Sequence, residues 1–465
     1  MTRKTKIIAT VGPSVNSKDG IKKLVNSGAD VLRLNFSHGT EEDHLNVVKW
    51  ARELDKSVAI MQDIQGPKIR TGETKKEVYL KPKNKVKITN KKILSDEKIV
   101  YLNYKDLYKD INSGERIFID DGQIVIRVTK KTKSSLEGVV EIGGELRSNQ
   151  GVAFPDTSLS VSSLTKKDIT DLKYGNKLEV DIVAVSFVRN ANDIKKVRKI
   201  IDNNIKIIAK IELKSAIKNL DSIIDEADGV MVARGDLGVQ LPLERVPFIQ
   251  KQILDEANAK GKITVTATEM LQSMKESHRP TRAEVTDITN AILEGTDCVM
   301  LSAETAIGNH PEVVVEAMSR ICEEVDSRND TSALKFKELS GVDTLTTSIA
   351  KAAVQVANEI GAKAIVAFTE TGKTPLLISN YRPKAPIFTF TTKNKTYNQM
   401  HILWGVEQAK IERLETTDEM FEIADTWLQI NKKFKKNDKV VLVAGTPPNK
   451  EAATNLLRVM KIGEF

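Results

Sequence analysis

The sequence predicts an α/β protein: a (β/α)₈ TIM barrel, a small β-barrel lid domain inserted into it, and a C-terminal α/β domain. Two observations support this prediction. Eight apolar runs rich in Val, Ile and Ala turn polar only at their C-terminal ends, as expected of parallel strands buried on both faces. Stretches with helical spacing lie between them, and eight such units close into a barrel whose active site lies at the C-terminal face.

The elements of the predicted barrel follow in chain order. The strands are predicted at residues 6–12, 31–37, 58–63, 181–188, 207–212, 229–236, 263–270 and 298–305. Helices are predicted at residues 19–26, 41–55, 191–203, 215–227 and 245–260. One apolar run alone indicates only a core strand, whereas eight in sequence indicate the barrel.

The periodicity changes after Asp63. Gly66 and Pro67 break the barrel pattern, and residues 70–154 have the short alternating runs and turn signals of a β domain. An insertion at this point overhangs the active face, so it is predicted to be a lid. The predicted domains are residues 1–66 and 158–335 for the barrel, 67–157 for the lid, and 336–465 for the C-terminal domain.

The last part of the chain has its own alternation of strands and helices. Strands are predicted at residues 364–368, 387–390 and 440–444, and helices at residues 345–360, 419–430 and 451–460. Residues 326–339 are polar and lack an apolar period, so they are predicted to be the linker to this domain.

Length and composition limit the classes of protein. A chain of 465 residues suits two or three domains, and 40% hydrophobic with 29% charged residues is ordinary for a globular protein. No apolar run approaches the roughly 20 residues needed to cross a bilayer, and the start resembles no secretory signal, so we expect a cytoplasmic protein without a membrane partner. Cys298 and Cys322 form neither a disulfide framework nor a metal-ligand spacing.

The charge balance is basic, with 71 Lys and Arg against 63 Asp and Glu. The lysines are scattered, without the aromatic residues that interleave with them in single-strand binders. We therefore expect solvated faces and no nucleic-acid partner.

Three charged residues mark the ends of neighbouring strands. Lys210 and Glu212 are two positions apart, so both side chains point into the mouth of the barrel. With Asp236 from the next strand, Glu212 makes a hard oxygen site for Mg²⁺ or Mn²⁺. The alternative is a structural Lys–Glu ion pair, which Gly235 disfavours because it lets backbone N–H groups approach an anion.

A second cluster lies on the second strand. Arg33, Asn35 and Ser37 share one face, and an arginine there suits bidentate contact with phosphate. His38, at the end of the strand, is either a hydrogen-bonding loop residue or a ligand contact.

Eight strings, in this order along the chain, resemble those of the pyruvate kinase family. They are RLNFSHG (33–39), DIQGPKIR (63–70), SFVR (186–189), KIE (210–212), MVARGDLG (231–238), ATEM (267–270), RPTRAE (279–284) and MLSAET (300–305). The resemblance covers essentially the whole chain, including the lid and the C-terminal domain. It implies transfer of the phosphoryl group of phosphoenolpyruvate to ADP, giving ATP and pyruvate, with Mg²⁺ or Mn²⁺ as cofactor.

The resemblance also implies roles for individual residues. The implied metal ligands are Glu212 and Asp236. The implied catalytic residues are Lys210, Arg33, Thr268 and Ser302. The implied substrate contacts are Arg33, Lys210, Gly235, Asp236 and Thr268, and the implied nucleotide contacts are Thr10, Pro13, Asn35, His38 and Arg70. Asp120 or Asp121 is the lid residue expected to close over the metal.

Two departures from the family pattern are informative. The implied monovalent-cation region comprises Asn35, Ser37, Asp63 and Ile64. Potassium-dependent members typically carry a glutamate where this chain has Lys68, so its ammonium group is expected to replace potassium, which is then not required. The alternative is a lysine that points to solvent. Asn149 and Gln150 stand where many relatives have a lysine for the nucleotide, which leaves the nucleotide preference open.

A loop in the C-terminal domain has two interpretations. In the resemblance, Thr369, Thr371, Gly372, Lys373 and Thr374 hold the phosphate of a sugar-phosphate or nucleotide effector, although Glu370 adds repulsion. Residues 367–374 would otherwise be a P-loop with Ala367 in place of its first glycine, which keeps a P-loop hydrolase as a rival. Another rival is a barrel mutase, lyase or dikinase-like enzyme. A non-catalytic protein would be expected to have lost Lys210 or a metal ligand. The resemblance also implies a homotetramer, the usual assembly of the family.

Overall fold

A computed structural model describes residues 3–157, 159–328, 339, 344–431, 433–448 and 453–465 of the chain. The first part of the barrel comprises β1 (Lys6–Val11), α1 (Lys18–Ser27), β2 (Val31–Asn35), α2 (Glu41–Arg52) and β3 (Ala59–Asp63). The lid follows as β4 (Val78–Leu80), β5 (Lys85–Thr89), β6 (Ile99–Tyr101), α3 (Leu107–Asp110), β7 (Arg116–Ile119), β8 (Ile124–Lys131), β9 (Leu136–Ile142), β10 (Gly144–Leu146) and β11 (Val152–Ala153).

The chain then returns to the barrel. These elements are α4 (Lys166–Lys177), β12 (Ile182–Val185), α5 (Ala191–Arg198), β13 (Lys206–Ile211), α6 (Lys214–Lys218), α7 (Leu220–Glu226), β14 (Gly229–Ala233), α8 (Arg234–Gln240), α9 (Val246–Ala259), β15 (Ile263–Ala267), α10 (Arg282–Leu293), β16 (Cys298–Leu301), α11 (Ala303–Ala306) and α12 (Pro311–Arg328). Eight parallel strands close the barrel in the order β1, β2, β3, β12, β13, β14, β15 and β16. The predicted barrel is confirmed.

The C-terminal domain has a sheet of five strands. Its elements are α13 (Thr344–Glu359), β17 (Ala364–Phe368), α14 (Lys373–Asn380), β18 (Ile387–Thr391), α15 (Asn394–Gln399), β19 (Val406–Lys410), α16 (Thr417–Ile430), β20 (Lys439–Ala444) and β21 (Leu456–Lys461). The strand order is β19, β18, β17, β20, β21, and only β21 is antiparallel to its neighbour.

Local sequence signals explain where several helices begin. Thr40, Thr165 and Thr281 each accept a hydrogen bond from the backbone N–H three residues later, and the acidic residue there bonds back, which completes three capping boxes. The predicted helix 215–227 is split into α6 and α7 at Asn219, whose φ of −109° and ψ of 17° interrupt the helix.

One C-terminal element differs from the prediction. Residues 456–461, expected at the end of a helix, form β21, which pairs antiparallel with β20. Its residues are mostly half-buried or exposed, as suits the edge of the sheet, and contacts with β20 override a weak helical pattern. Strand β19 and helices α14 and α15 were not predicted. Most of the predicted linker lies outside the described residues, and α12 continues to Arg328.

The interior of the barrel continues into the C-terminal domain. Ile8, Met61 and Ile208 line the barrel interior and belong to one buried apolar cluster with Ala353 and Ile402 of the C-terminal domain. The C-terminal domain therefore covers the N-terminal ends of the barrel strands, and the C-terminal ends stay open beneath the lid. None of the helices in the described part of the chain has the length and apolar character that crossing a bilayer demands.

Candidate active site

A pocket of about 150 Å³ lies at the C-terminal ends of the barrel strands. Eleven of the residues singled out in the sequence line it together: Arg33, Asn35, Ser37, Asp63, Ile64, Lys68, Lys210, Glu212, Asp236, Thr268 and Ser302. They come from six strand ends and the loop after β3, because parallel strands of a barrel deliver their polar ends to one face.

Lys210 lies between two carboxylates in this pocket. Its Nζ is 2.8 Å from Glu212 Oε1 and 3.3 Å from Asp63 Oδ1, and it donates to Ser186 Oγ at 2.8 Å. Burial alone would lower the pKa of Lys210, but Asp63 and Glu212 raise it above its ordinary value. Lys210 is therefore a fixed positive charge.

Asp63 joins this lysine to Arg33. Arg33 Nε lies 2.7 Å from Asp63 Oδ2, and Arg33 Nη1 donates to Thr10 Oγ1 at 2.9 Å. Burial would raise the pKa of Asp63, but Lys210 and Arg33 hold it below its ordinary value. Thr10 is buried behind Arg33 and its hydroxyl group donates a hydrogen bond to Leu301 O at 2.7 Å, so it supports the guanidinium group.

Glu212 and Asp236 offer two carboxylates to the pocket. Glu212 Oε2 accepts the backbone N–H of Phe187 at 2.7 Å, and burial raises the pKa of Glu212 to about 7 against the lowering effect of Lys210. Within the described residues, no group of three or more His, Cys, Asp and Glu side chains is arranged to hold a metal. Two carboxylates suit Mg²⁺ or Mn²⁺, because Mg²⁺ commonly takes its other ligands from water and substrate oxygens.

Backbone strain marks the wall formed by β14 and β15. Thr268 and Glu269 have φ of +68° and +56°, which non-glycine residues rarely adopt outside functional sites. Thr268 Oγ1 accepts the N–H of Gly235 at 2.8 Å and donates to Ala267 O at 2.6 Å. Arg234 fixes the turn by donating to Thr268 O at 2.7 Å and pairing with Asp287 at 2.6 Å.

Ser302 ends β16 beside this wall. Its backbone N–H donates to the buried carboxylate of Glu304 at 2.7 Å, and its side chain faces the pocket with Thr268. The arrangement presents two hydroxyl groups on one side of the pocket.

Of the predicted nucleotide residues, Asn35 lines the pocket and Arg70 lines the neighbouring cleft. Arg70 donates to Asn149 O at 2.8 Å and lines a cleft of about 700 Å³ between the barrel and the lid. Burial and the nearby cations Lys68 and Arg70 lower the pKa of His38. Pro13 is exposed beyond the end of β1.

Lys68 reaches the predicted monovalent-cation region. The residue is exposed overall, yet its Nζ donates to Ser37 Oγ at 3.3 Å and its side chain lines the pocket. Burial of the ammonium group, with Lys210 and Arg70 nearby, lowers its pKa.

The lid presents two acidic residues at the tip of one hairpin. Asp120 and Asp121 have φ of +54° and +53° in the turn between β7 and β8, and both line the cleft. Asp120 is paired with Arg147 at 2.8 Å. Burial and the negative charges of Asp236, Asp120 and Glu269 raise the pKa of Asp121.

The predicted effector loop borders a separate cavity of about 410 Å³ in the C-terminal domain. Thr369, Thr371, Lys373 and Thr374 line it, and Gly372 adopts the left-handed conformation, with φ of +81°, at the start of α14. Glu370 lies 3.4 Å from Lys393, which offsets its charge.

Ser186 and Phe187 are site residues to which sequence reasoning assigned no role. Ser186 bonds to Lys210 and lies 3.3 Å from Asp63, and Phe187, with φ of +55°, directs its N–H to Glu212. Their position at the polar end of a predicted strand is the signal that pointed to them, but which carboxylates they would meet depends on the barrel closing.

Comparisons with known proteins identify the family of this chain. The family model of the pyruvate kinase barrel domain matches residues 2–315, and that of the pyruvate kinase alpha/beta domain matches residues 347–460. A pyruvate kinase from Geobacillus stearothermophilus is 38% identical over 100% of this chain and 81% of its own length, and one from Corynebacterium efficiens is 39% identical over 100% and 99%. The crystal structure of a pyruvate kinase from Cryptosporidium parvum has a TM-score of 0.94 and 35% identity, over 99% of this chain and 96% of that one.

Proposed function

Because the chain belongs to the pyruvate kinase family, which makes it a phosphotransferase acting on phosphoenolpyruvate and ADP, we propose that the pocket around Lys210 is where the phosphoryl group is transferred. The observation that carries this proposal is the pairing of Lys210 with Glu212 and Asp63, next to Arg33 and Asp236. Two cations with little exposure, beside the buried carboxylate of Glu212 and the exposed carboxylate of Asp236, match a substrate that brings both phosphate and a need for a metal.

The cations carry the electrostatic task of the reaction. Charge spreads over the phosphoryl oxygens and the enolate oxygen in the transition state, and fixed positive groups stabilise it there. Arg33, oriented by Asp63 and Thr10, suits the phosphate oxygens with its planar fork. Lys210 suits the oxygen that bridges phosphorus and the enolate.

The remaining residues hold the substrate and the proton. Glu212 and Asp236 would hold a divalent cation, which would neutralise part of the negative charge of the substrate when bound. The backbone around Gly235 and the Thr268 hydroxyl would receive the carboxylate of phosphoenolpyruvate. Thr268 and Ser302 lie on the side where the enolate takes up its proton. Pro13, Asn35, His38 and Arg70 would contact the nucleotide, with Thr10 supporting Arg33 from behind, and Asp121 would cover the metal site from the lid.

Lys68 supports a reaction that does not need potassium. Its ammonium group lies beside Ser37, at the entrance where Asn35 and Asp63 also face the pocket. A positive charge built into the chain at this point would replace a bound monovalent cation.

A single coupled assay tests the function. Pyruvate formation from phosphoenolpyruvate and ADP is measured with Mg²⁺, with Mn²⁺ and with chelator, each with and without potassium in a tetramethylammonium buffer. We expect activity with either metal, none with chelator, and less than a twofold response to potassium. No pyruvate under any metal condition would refute the proposed function, and a manyfold rise with potassium would refute the role of Lys68 alone.

The cavity in the C-terminal domain supports a regulatory role. The N–H groups at the start of α14 with Thr371 and Lys373 suit one phosphate group of a sugar phosphate or nucleotide. We also propose a homotetramer, by analogy with the family, which analytical ultracentrifugation tests directly.

A further inference from the structure

Four aspartates form a repeated pattern at the N-terminal face of the barrel. One aspartate directly precedes each of the strands β2, β12, β14 and β16. Its carboxylate accepts a hydrogen bond from a backbone N–H of the neighbouring strand that comes before it in the barrel order. The pairs are Ile7 to Asp30, Ile60 to Asp181, Ile207 to Asp228 and Thr264 to Asp297, each at 2.8 Å. The four aspartates therefore join β1 to β2, β3 to β12, β13 to β14 and β15 to β16.

Each aspartate is also paired with an arginine. The pairs are Arg3–Asp30 at 2.7 Å, Arg52–Asp181 at 2.7 Å, Arg198–Asp228 at 2.6 Å and Arg382–Asp297 at 2.6 Å. The first three arginines belong to the barrel, where Arg52 and Arg198 are the last residues of α2 and α5. The fourth belongs to the C-terminal domain.

The barrel has no arginine of its own at the fourth position. The equivalent helix, α9, ends at Ala259, and the next cation, Lys260, is held by Asp221 and Asp225 at 2.5 Å. Arg382 fills the position in the same way as Arg3. Each donates a second hydrogen bond to the carbonyl two residues before its aspartate, to Gly295 at 2.6 Å and to Gly28 at 2.7 Å.

The C-terminal domain fixes Arg382 firmly. The residue is buried, its guanidinium group lies 4.7 Å from the centre of the Trp404 ring, and its backbone has a φ of +46°. A non-glycine residue in that conformation is held there by its surroundings. Arg382 follows the end of α14 by two residues.

We propose that Arg382 is a positioning residue for catalysis. It aligns the paired strands β15 and β16 at their N-terminal ends. Thr268 and Ser302 lie at the C-terminal ends of the same two strands, roughly 15 Å from the N-terminal ends at about 3.3 Å per residue. Within the described part of the chain, Asp30, Asp181 and Asp228 take their arginines from the barrel, with Lys395 of the C-terminal domain a more distant partner of Asp181 at 3.8 Å, whereas Asp297 takes its arginine from the C-terminal domain. The inference rests on the proposed roles of Thr268 and Ser302 in delivering the proton.

The test compares Arg382→Gln with three other variants. Arg382→Lys restores the charge, and Thr268→Ala tests the upper end of the strands directly. Lys4→Met is the matched control, because Lys4 contacts Pro383 O, Lys384 O and the Trp404 ring at the same interface but none of the four aspartates. The measurements are kcat, the KM for ADP, and the exchange of pyruvate methyl protons with deuterated solvent in the presence of Mg²⁺ and ATP, followed by NMR. In this exchange a methyl C–H bond breaks, the enolate forms, and a deuteron from solvent takes the place of the proton.

Arg382→Gln is expected to lower kcat and the exchange rate about tenfold or more, because small displacements of reacting groups are costly, with the KM for ADP within about twofold. Arg382→Lys should recover part of the loss, and Lys4→Met should match the parent. Parent-like exchange in Arg382→Gln, or an equal loss in Lys4→Met, would overturn the inference. Parent-like exchange in Thr268→Ala would instead overturn the proposed role of Thr268, and the inference with it. If Arg382→Gln does not fold, Asp297→Asn is added to remove the unpaired charge, and a parent-like exchange rate in that double variant would also overturn the inference.

Discussion

Replacing Lys210 by methionine tests the centre of the proposed site. The change keeps most of the aliphatic stem and removes the ammonium group that lies 2.8 Å from Glu212 and 3.3 Å from Asp63. Arg33 still neutralises Asp63 at 2.7 Å, so the residue left without its partner is Glu212.

The expected loss of activity is large and the loss of stability moderate. A fixed cation on a transferring phosphoryl group contributes about 10³-fold to 10⁵-fold in rate, so kcat should fall at least about 10³-fold. Breaking a buried ion pair costs about 3–5 kcal/mol of stability when the remaining charge cannot be neutralised. The charge of Glu212 can be neutralised by uptake of a proton, because burial already raises the pKa of Glu212 to about 7. We therefore expect a loss of about 1–3 kcal/mol in the free energy of unfolding.

The assay combines turnover with folding. Pyruvate formation is followed with saturating phosphoenolpyruvate, ADP and Mg²⁺, and the free energy of unfolding is measured with urea. Lys199→Met makes the same chemical change at an exposed lysine of the barrel and should match the parent in both. A folded Lys210→Met protein with kcat within tenfold of the parent would contradict the assignment of the transferring cation.

Four further predictions concern the metal, the monovalent cation, the interface and the effector loop. Glu212→Gln removes one of two carboxylates and should weaken Mn²⁺ binding at least about tenfold in a titration followed by electron paramagnetic resonance; unchanged affinity would exclude Glu212 as a ligand. Lys68→Glu should make pyruvate formation depend on added potassium, and a variant as indifferent to potassium as the parent would exclude the substitution of ammonium for cation. His401 is buried against Ser57 at 2.9 Å, and burial, with Lys6 nearby, lowers its pKa to about 3. The unfolded imidazole takes up a proton below about pH 6.5, whereas the folded one does not. His401 therefore leaves the free energy of unfolding unchanged above that pH and lowers it by about 1.4 kcal/mol per pH unit as the pH falls towards 3. His401→Gln should remove this slope from a plot of the urea-measured free energy of unfolding against pH, and plots of equal slope for variant and parent would contradict the burial effect. Lys373→Ala should abolish any shift of the phosphoenolpyruvate saturation curve that a sugar phosphate or nucleoside monophosphate produces in the parent, and a retained shift would place the effector elsewhere.

The barrel was predictable because its signal is strong and repeated. Each strand is buried on both faces, so its apolar run is continuous and ends abruptly where the side chains meet the site. The edge of the C-terminal sheet gives no such signal. Strand β21 is half-exposed, and its pairing with β20 across a loop is a tertiary contact that local periodicity does not encode.

The site was partly predictable for the same reason. Lys210 and Glu212 share a strand, so their common direction follows from a two-residue spacing. The position of Asp63 between Lys210 and Arg33 does not follow from spacing, because those residues lie on strands far apart in the chain. The ion pair between Arg382 and Asp297 could not be predicted from the barrel segment alone, since Arg382 belongs to the C-terminal domain.

The charges that line the pocket explain why substrate and metal belong together in this reaction. Arg33, Lys68 and Lys210 face Asp63, Glu212 and Asp236, so three cations balance three anions. A polyanionic substrate entering a neutral pocket would leave its negative charge uncompensated. Asp63 is already neutralised by two cations, whereas Glu212 shares Lys210 with it and Asp236 has no ion pair within the described residues. The unbalanced anionic charge therefore lies on the Glu212 and Asp236 side, and the unbalanced cationic charge on the Arg33 side. This separation draws the phosphate to one wall and a divalent cation to the other, with Lys210 between them.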